Sequence, residues 1–308
     1  MTGQRFCAIE SRKAGDPLPG TGNHPECNLL ISWPRKNWSR SLRIASDMET
    51  SLTVRIEELV AGGRRVNLIH RRQWPERHHR LYLFPENLWL DVDRDALPEV
   101  VAALANRQPL TSWSPSSLTR SLILCCTHGK KDKCCAKFGY RTYQALAREA
   151  RKHPEKFDVW ESSHLGGCRL AASMMVFPAL RKYGRISDRD VAPLLAREST
   201  GRPYLPCYRG CGTLTPAEQC AEIAVLEWLE GKGLRGEAVT IDRDFGRARP
   251  QTDGSVWVSV RWSADGGCQG YMDVWCETRV IDRVDTCADL DEGPSASECW
   301  FASRLIPR

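Results

Sequence analysis

A short apolar run that breaks directly into a cysteine-rich, glycine-containing loop constrains this chain more than any other feature. Residues 121–125 (SLILC) are apolar and too few for a helix, so they read as a buried strand. The chain continues Cys125-Cys126-Thr127-His128-Gly129-Lys130-Lys131-Asp132-Lys133-Cys134-Cys135. Residues 138–152 then place Tyr143, Leu146, Ala147 and Ala150 at helical spacing and stop before Pro154. Further strands are expected at 157–161, at 173–177 (closed by Pro178) and at 182–186. Ser187 followed by Asp190 reads as the cap of a helix that carries Val191, Leu194 and Leu195 on one face.

Strand-helix-strand followed by strand-strand-helix is the thioredoxin-like order, a right-handed crossover plus a hairpin and a helix. The N-terminal region repeats it faintly. Strands are expected at 28–33, 66–70, 80–84 and 88–91, with helices at 49–61 and 97–106. This pattern fits a degenerate first thioredoxin-like module, and it also fits an α/β module of another topology. The Ser- and Pro-rich stretch 108–117 suits a boundary. Beyond residue 200, Thr215-Pro216-Ala217-Glu218 is a helix start. Residues 256–262 and 271–276 alternate like half-buried antiparallel strands. The expected fold class is therefore α/β. An N-terminal module occupies 1–110, a thioredoxin-like module that bears the cysteine loop occupies 118–200, and a small α+β section occupies 201–308.

A chain of 308 residues with 14 cysteines needs an account of its thiols. The N-terminus lacks the apolar core of a secretory signal, and no apolar stretch is long enough to span a bilayer. A cytoplasmic location follows by default, and a reducing compartment favours free thiols or metal ligands over disulfides. The formal charge of +6 is mild for this length, and no aromatic-basic repeat of the RNA-binding type is present. Neither nucleic acid nor membrane is an expected partner.

The chemistry-bearing residues fall in two loops, the cysteine loop and Ser162-Ser163-His164-Leu165-Gly166-Gly167-Cys168. Both follow strands of a parallel pair, so both lie at the carboxyl edge of the sheet, where open α/β sheets place their sites. Soft thiolates and imidazoles converging there suit a metal or an iron–sulfur cluster. Lys130, Lys131, Lys133, Lys137 and Arg169 would offset its negative charge or meet an acidic partner. Cys125 and Cys134 adjoin the candidate ligands, but strand alternation turns them to the opposite face, as small buried hydrophobes. His128 reads as an exposed loop residue or a support for a ligand, and His78-His79 as solvated surface.

The pair Cys126-x8-Cys135, together with Trp160-Glu161-Ser162-Ser163-His164-Leu165-Gly166-Gly167, resembles the sucrase/ferredoxin-like family, which includes thioredoxin-like ferredoxins. Ser11-Arg12-Lys13-Ala14-Gly15-Asp16-Pro17-Leu18, Gly20-Thr21 and Tyr208-Arg209-Gly210 extend the likeness over most of the chain. The resemblance implies an electron carrier with a [2Fe-2S] cluster held by Cys126, Cys135 and His164. In the family the fourth ligand is a second histidine. Here that position is Cys168, read as the fourth ligand because thiolate is itself a good iron ligand; the alternatives are another of the extra cysteines in its place, or a weak or absent cluster. A third thiolate adds negative charge and should lower the reduction potential relative to a two-histidine site.

Other chemistries remain open on the residues alone. The same three cysteines and one histidine suit structural zinc. A thiol-based redox enzyme on this fold would normally show Cys-x-x-Cys, which is absent here. Sucrose hydrolysis needs a pair of carboxylates, and none stands out. With no glycine-rich dinucleotide fingerprint, electrons would have to come from a redox partner protein. The chain therefore reads as a carrier rather than a self-contained enzyme.

Overall fold

The computed structural model describes residues 4–234, 236–242, 249–250 and 254–308. Two compact units emerge, one of residues 25–166 with 172–179, the other of residues 1–24, 167–171 and 180–308. They are cut differently from the segments 1–110, 118–200 and 201–308 read from the sequence. The Ser/Pro stretch 108–117 is not a break, because strands from both sides of it pair in one sheet.

The strands of the first unit are β1 (Asn28–Ser32), β2 (Arg65–His70), β3 (His78–Phe84), β4 (Leu88–Asp93), β5 (Ser116–Ser117), β6 (Ser121–Cys126), β7 (Phe157–Ser162) and β8 (Met174–Phe177). Their order across the sheet is β8-β6-β7-β2-β1-β3-β4-β5. β1 pairs in parallel with β2 after the helix Thr50–Ala61, and antiparallel with β3. β6 pairs in parallel with β7 after the helix Tyr140–Ala150, and antiparallel with β8. The same arrangement around a leading strand thus occurs twice, and both third strands end in Phe-Pro. β1, β7 and β8 are buried along their whole length; β8 is a continuous apolar run, whereas β7 buries Asp158 and Glu161 among its apolar residues. The helix Thr50–Ala61 buries Leu52, Ile56 and Leu59, one stripe at a spacing of three to four residues, against Leu29, Ile31 and Leu81.

The two halves of this unit meet where β2 and β7 pair antiparallel. The register covers only Ile69 with Ser162 and His70 with Glu161. The strands therefore overlap only at their carboxyl tips, and the chain that leaves each tip runs on beside the other strand: Ser163 N–H donates to the Leu68 carbonyl, and the Arg71 guanidinium to the Val159 carbonyl.

The second unit contains the helix Cys7–Lys13, the antiparallel pair β9 (Arg181–Tyr183) and β10 (Tyr208–Cys211), and the helices Asp188–Glu198 and Pro216–Gly231. Both longer helices start with the capping boxes visible in the sequence, Ser187 with Asp190 and Thr215 with Glu218. β9 is shorter than the strand expected at 182–186, because the chain turns at Gly184 and at Arg185, which has φ 55°. A second sheet follows, made of β11 (Gly236–Ile241), β12 (Arg249–Pro250), β13 (Val256–Ala264), β14 (Cys268–Arg283) and β15 (Ser295–Pro307). Ala221, Val225 and Leu229 of the helix Pro216–Gly231 pack in one core with Val258, Val260, Met272 and Val274. No helix among the described residues is long and apolar enough to cross a membrane.

Candidate metal centre

Cys126 is the last residue of β6 and is 2% exposed. Its backbone N–H donates to the Ser173 carbonyl at 3.0 Å, and the Thr127 N–H donates to Ser162 at 3.1 Å, which ties the start of the loop to both neighbouring strands. The loop then winds tightly. Gly129 N–H reaches the Thr127 carbonyl at 2.8 Å, and Cys134 N–H reaches Asp132 Oδ1 at 2.8 Å. Cys135 opens a wide π-helical turn, Cys135–Gly139, that runs into the helix Tyr140–Ala150. Glycine is required where this turn crosses the strand, since a Cβ on Gly139 would lie 1.9 Å from the Cys126 carbonyl oxygen.

Three of the residues singled out in the sequence come together here. The Cys126 thiol is drawn well below its ordinary pKa by a hydrogen bond with the Cys135 side chain. Burial opposes this shift, and a hydrogen bond and charge from the His164 ring support it. Cys126 is thus held toward the thiolate, the form that binds metal. Cys125, fully buried beside it, is driven the other way by burial. Its Sγ lies 3.4 Å from the Gly139 carbonyl, so it remains a protonated hydrophobic filler as strand alternation predicts. Cys134 is likewise fully buried.

His164 is positioned by its backbone. Its carbonyl accepts from Arg65 at 2.8 Å and from Asn67 Nδ2 at 3.1 Å. Its N–H donates to Nδ1 of His128 at 3.2 Å. Nε2 of His128 lies 2.7 Å from the Ser39 carbonyl, which can only accept. The His128 ring is therefore neutral with its proton on Nε2, and burial lowers its pKa accordingly. His128 is 1% exposed, so its reading as an exposed loop residue is corrected. It supports the His164 loop, and packing against Trp38 keeps it from water. Ser163 Oγ completes the brace. It accepts from Asn67 Nδ2 and from Leu68 N–H, each at 3.0 Å, and donates to the Leu42 carbonyl at 2.5 Å.

Cys168 belongs to the second compact unit. It is buried in a short 3-10 turn, Cys168–Leu170, entered through Gly167 at φ 77°. Its thiol acts electrostatically on the guanidinium of Arg209, a buried cation whose pKa falls to about 9 through burial and the charge of Arg169. Arg169 is committed to Asp16 at 2.7 Å and to Asp285 at 3.2 Å, so it is structural rather than a free counter-charge. The outlying sequence motifs meet in this unit. Arg209 Nε donates to Thr21 Oγ1 at 2.9 Å, Ser11 Oγ donates to Asp16 at 2.8 Å, and a Cβ on Gly22 would lie 2.5 Å from the Gly210 carbonyl.

Residues that sequence reasoning did not single out also shape the centre. Asn67 and Arg65 anchor the His164 loop from β2. Asn67, a buried polar residue within an apolar strand, was the available signal. Glu161 on β7 is buried, and burial raises its pKa. It accepts from Thr127 Oγ1 at 2.8 Å and from Arg35 at 2.5 Å. A cavity of about 390 Å³ opens against Thr127 and His128, walled by Trp38 and Tyr140 and bordered by Arg35 and Lys130.

The sucrase/ferredoxin-like family profile matches residues 18–210, which include both loops and the outlying motifs from Leu18 to Gly210. The chain belongs to the sucrase/ferredoxin-like family. Among solved structures it is similar to the wild-type thioredoxin-like [2Fe-2S] ferredoxin from Aquifex aeolicus, at 15% identity and TM-score 0.27, covering 29% of this chain and 95% of that one. A second structure of a thioredoxin-like [2Fe-2S] ferredoxin from the same organism gives 14% identity and TM-score 0.29, covering 31% and 96%. No curated protein matches.

Proposed function

We propose that this sucrase/ferredoxin-like chain is an electron-transfer protein that carries a [2Fe-2S] cluster on Cys126, Cys135, His164 and Cys168. The observation that carries the reading is the convergence of Cys126, Cys135 and His164, with the Cys126 thiol drawn toward its thiolate. Soft thiolates and a neutral imidazole form a donor set that fits such a cluster. When bound, the cluster supplies one-electron redox chemistry. The chain's own contribution is to hold the donors. His128, Arg65 and Asn67 fix the His164 loop, and the requirement for glycine at position 139 fixes the turn that bears Cys135. Lys130, Lys131 and Lys137 are exposed beside the cysteine loop, which suits docking of an acidic redox partner protein in a reducing compartment such as the cytoplasm.

Protein purified without oxygen should be brown and contain about two irons and two acid-labile sulfides per chain, both lost in Cys126→Ser and Cys135→Ser. Cys168→Ser should lose the cluster or shift its visible and electron paramagnetic resonance spectra. An unchanged spectrum would remove Cys168 from the ligand set. Colourless protein with about one tightly held zinc would replace this reading with a structural metal site. Metal-free protein would leave thiol chemistry.

A further inference from the structure

The second unit holds a pair of thiols that lies outside the candidate metal centre. Cys7 opens the helix Cys7–Lys13, and Cys287 stands 280 residues later, in the turn that follows β14. Their Sγ atoms lie 3.5 Å apart, which is van der Waals contact, and the Cys7 N–H donates to the Cys287 Sγ at 3.4 Å. The two thiols differ in access. Cys7 is 0% exposed, whereas Cys287 is partly exposed. A pair so far apart in the chain leaves no spacing signal in the sequence.

Polar contacts on both sides hold the pair in place. Ser11 lies one helical turn beyond Cys7, on the same face, and is also fully buried. Its Oγ donates to Oδ2 of Asp16 at 2.8 Å. Arg283, the last residue of β14, reaches the other oxygen of Asp16 at 3.2 Å and Asp285 at 3.0 Å. Arg169 spans the same two carboxylates, at 2.7 and 3.2 Å. The turn that bears Cys287 is closed by Asp289, which accepts from the Thr286 N–H and from its hydroxyl, each at 2.9 Å. The path from Cys7 through Ser11, Asp16 and Arg283 to Cys287 is thus bonded throughout, and the two thiols face each other at its ends. Groups held in contact react as if at high local concentration, because the entropy of bringing them together was lost when the chain folded.

We propose that Cys7 and Cys287 form a reversible disulfide by exchange with a small disulfide of the glutathione class. Cys287 reacts first, because it is the one that solvent reaches. It loses its proton to water, its thiolate attacks one sulfur of the reagent, the reagent's S–S bond breaks, and one small thiol leaves with a proton. Cys7 then loses its proton and attacks the Cys287 Sγ. The mixed disulfide breaks, the Cys7–Cys287 bond forms, and the second small thiol leaves with a proton. The protein gives up two electrons and two protons, and the reagent takes them up as two thiols. The sulfurs must close from 3.5 Å to about 2.05 Å, an approach that side-chain rotation supplies. The bond fastens the N-terminal helix to the turn after β14. In a reducing compartment it forms transiently, in response to oxidation. It involves none of the proposed cluster ligands.

The test incubates the full chain, purified without oxygen, with oxidised glutathione, and blocks remaining thiols with iodoacetamide before trypsin digestion. Mass spectrometry should find residues 6–12 joined to residues 284–304, with fragment ions that place the bond on Cys287 rather than on Cys299. Dithiothreitol should separate the two peptides. The order of the steps gives a sharper reading. Cys7→Ser should accumulate glutathione on Cys287, at least roughly tenfold more than the wild type, because the thiol that displaces it is gone. Cys287→Ser should leave the buried Cys7 thiol unmodified. If Cys7→Ser fails to fold, the linked peptide in the wild type and its loss in Cys287→Ser, a change at a partly exposed position, still decide. No linked peptide at saturating oxidised glutathione, a bond to Cys299 or another cysteine in its place, or glutathione on Cys7 in Cys287→Ser would overturn the proposal and leave two thiols that only pack together.

Discussion

The two halves of the first compact unit share a strand order and differ in what they place at its carboxyl edge. β6 ends in Cys126 and leads into Thr127-His128-Gly129, and after β7 the chain supplies His164. After β1 it supplies Trp33-Pro34-Arg35-Lys36, and after β2 it supplies Arg71, Arg72 and Trp74. One edge is soft and thiol-rich. The other is aromatic and cationic. Backbone topology decides where a site can be, and loop residues decide its chemistry. The comparison also shows that neither half stands alone. The His164 loop is held by Arg65, Asn67 and Leu68 of β2, while Arg71 of the first half bonds Asp158 of β7 and lies 4.2 Å over the Trp160 ring. Each half braces the loop of the other.

The sharpest test of the contrast is Gly139→Ala. The added Cβ would meet backbone at 1.9 Å in the second half. We expect a loss of about 4 kcal/mol or more, or failure to fold, measured by urea denaturation. Ser51→Ala, exposed on the helix of the first half, should change stability by less than about 0.5 kcal/mol. Similar effects at the two positions would mean that the tight crossing is not special to the cysteine half.

A second test uses two carboxylates on β7. The pKa of Asp158 is held below the ordinary range. Burial works against this, but the charge of Arg71 and the Tyr82 hydroxyl, at 2.5 Å, outweigh it. Its stabilising contribution is present above the unfolded value of about 3.9 and fades as pH falls through the lower folded value. Glu161 is the reverse. Burial raises its pKa, so its contribution is complete below about 4.3 and is lost as pH rises through the higher folded value. At neutral pH, Asp158→Asn should cost about 2 kcal/mol more than Glu161→Gln, and the difference should shrink in acid. Urea midpoints across the acid range measure this. An equal cost at neutral pH would remove Asp158 as the brace of the Arg71 loop.

A smaller effect is expected of Asn67→Ala. Two side-chain hydrogen bonds into the Ser163-His164 segment are lost, at a cost of about 1–2 kcal/mol. The substitution lies in the first half, yet metal content and visible absorbance should fall with it. Stability that falls without any change in metal content would separate the brace from the centre.

Much of this architecture was legible in the sequence. Apolar runs such as 121–125 and the caps at Ser187 and Thr215 are local signals, and the elements they mark stand where they were expected. β15 was missed because most of its residues are half-buried or exposed, which blurs the alternation that betrays a strand. Cys126, Cys135 and His164, which the structure brings together, were singled out because their residue types carry chemistry at a recognisable spacing. Asn67, Arg65 and Tyr82 were not, because their roles depend on which strand lies beside them, and the pairing of β2 with β7 is a long-range contact that no local pattern encodes. His79 was misread for the same reason. Beside His78 in an arginine-rich stretch it looks polar and exposed, and only the strand register turns it inward.

The two-residue overlap of β2 and β7 has a consequence for portability. A cysteine loop excised with residues 119–179 alone would keep its thiols and lose the scaffolding that aims its imidazole. Grafting the proposed centre onto another protein would therefore require transplanting β2 as well, a segment some fifty residues upstream that holds none of the proposed ligands.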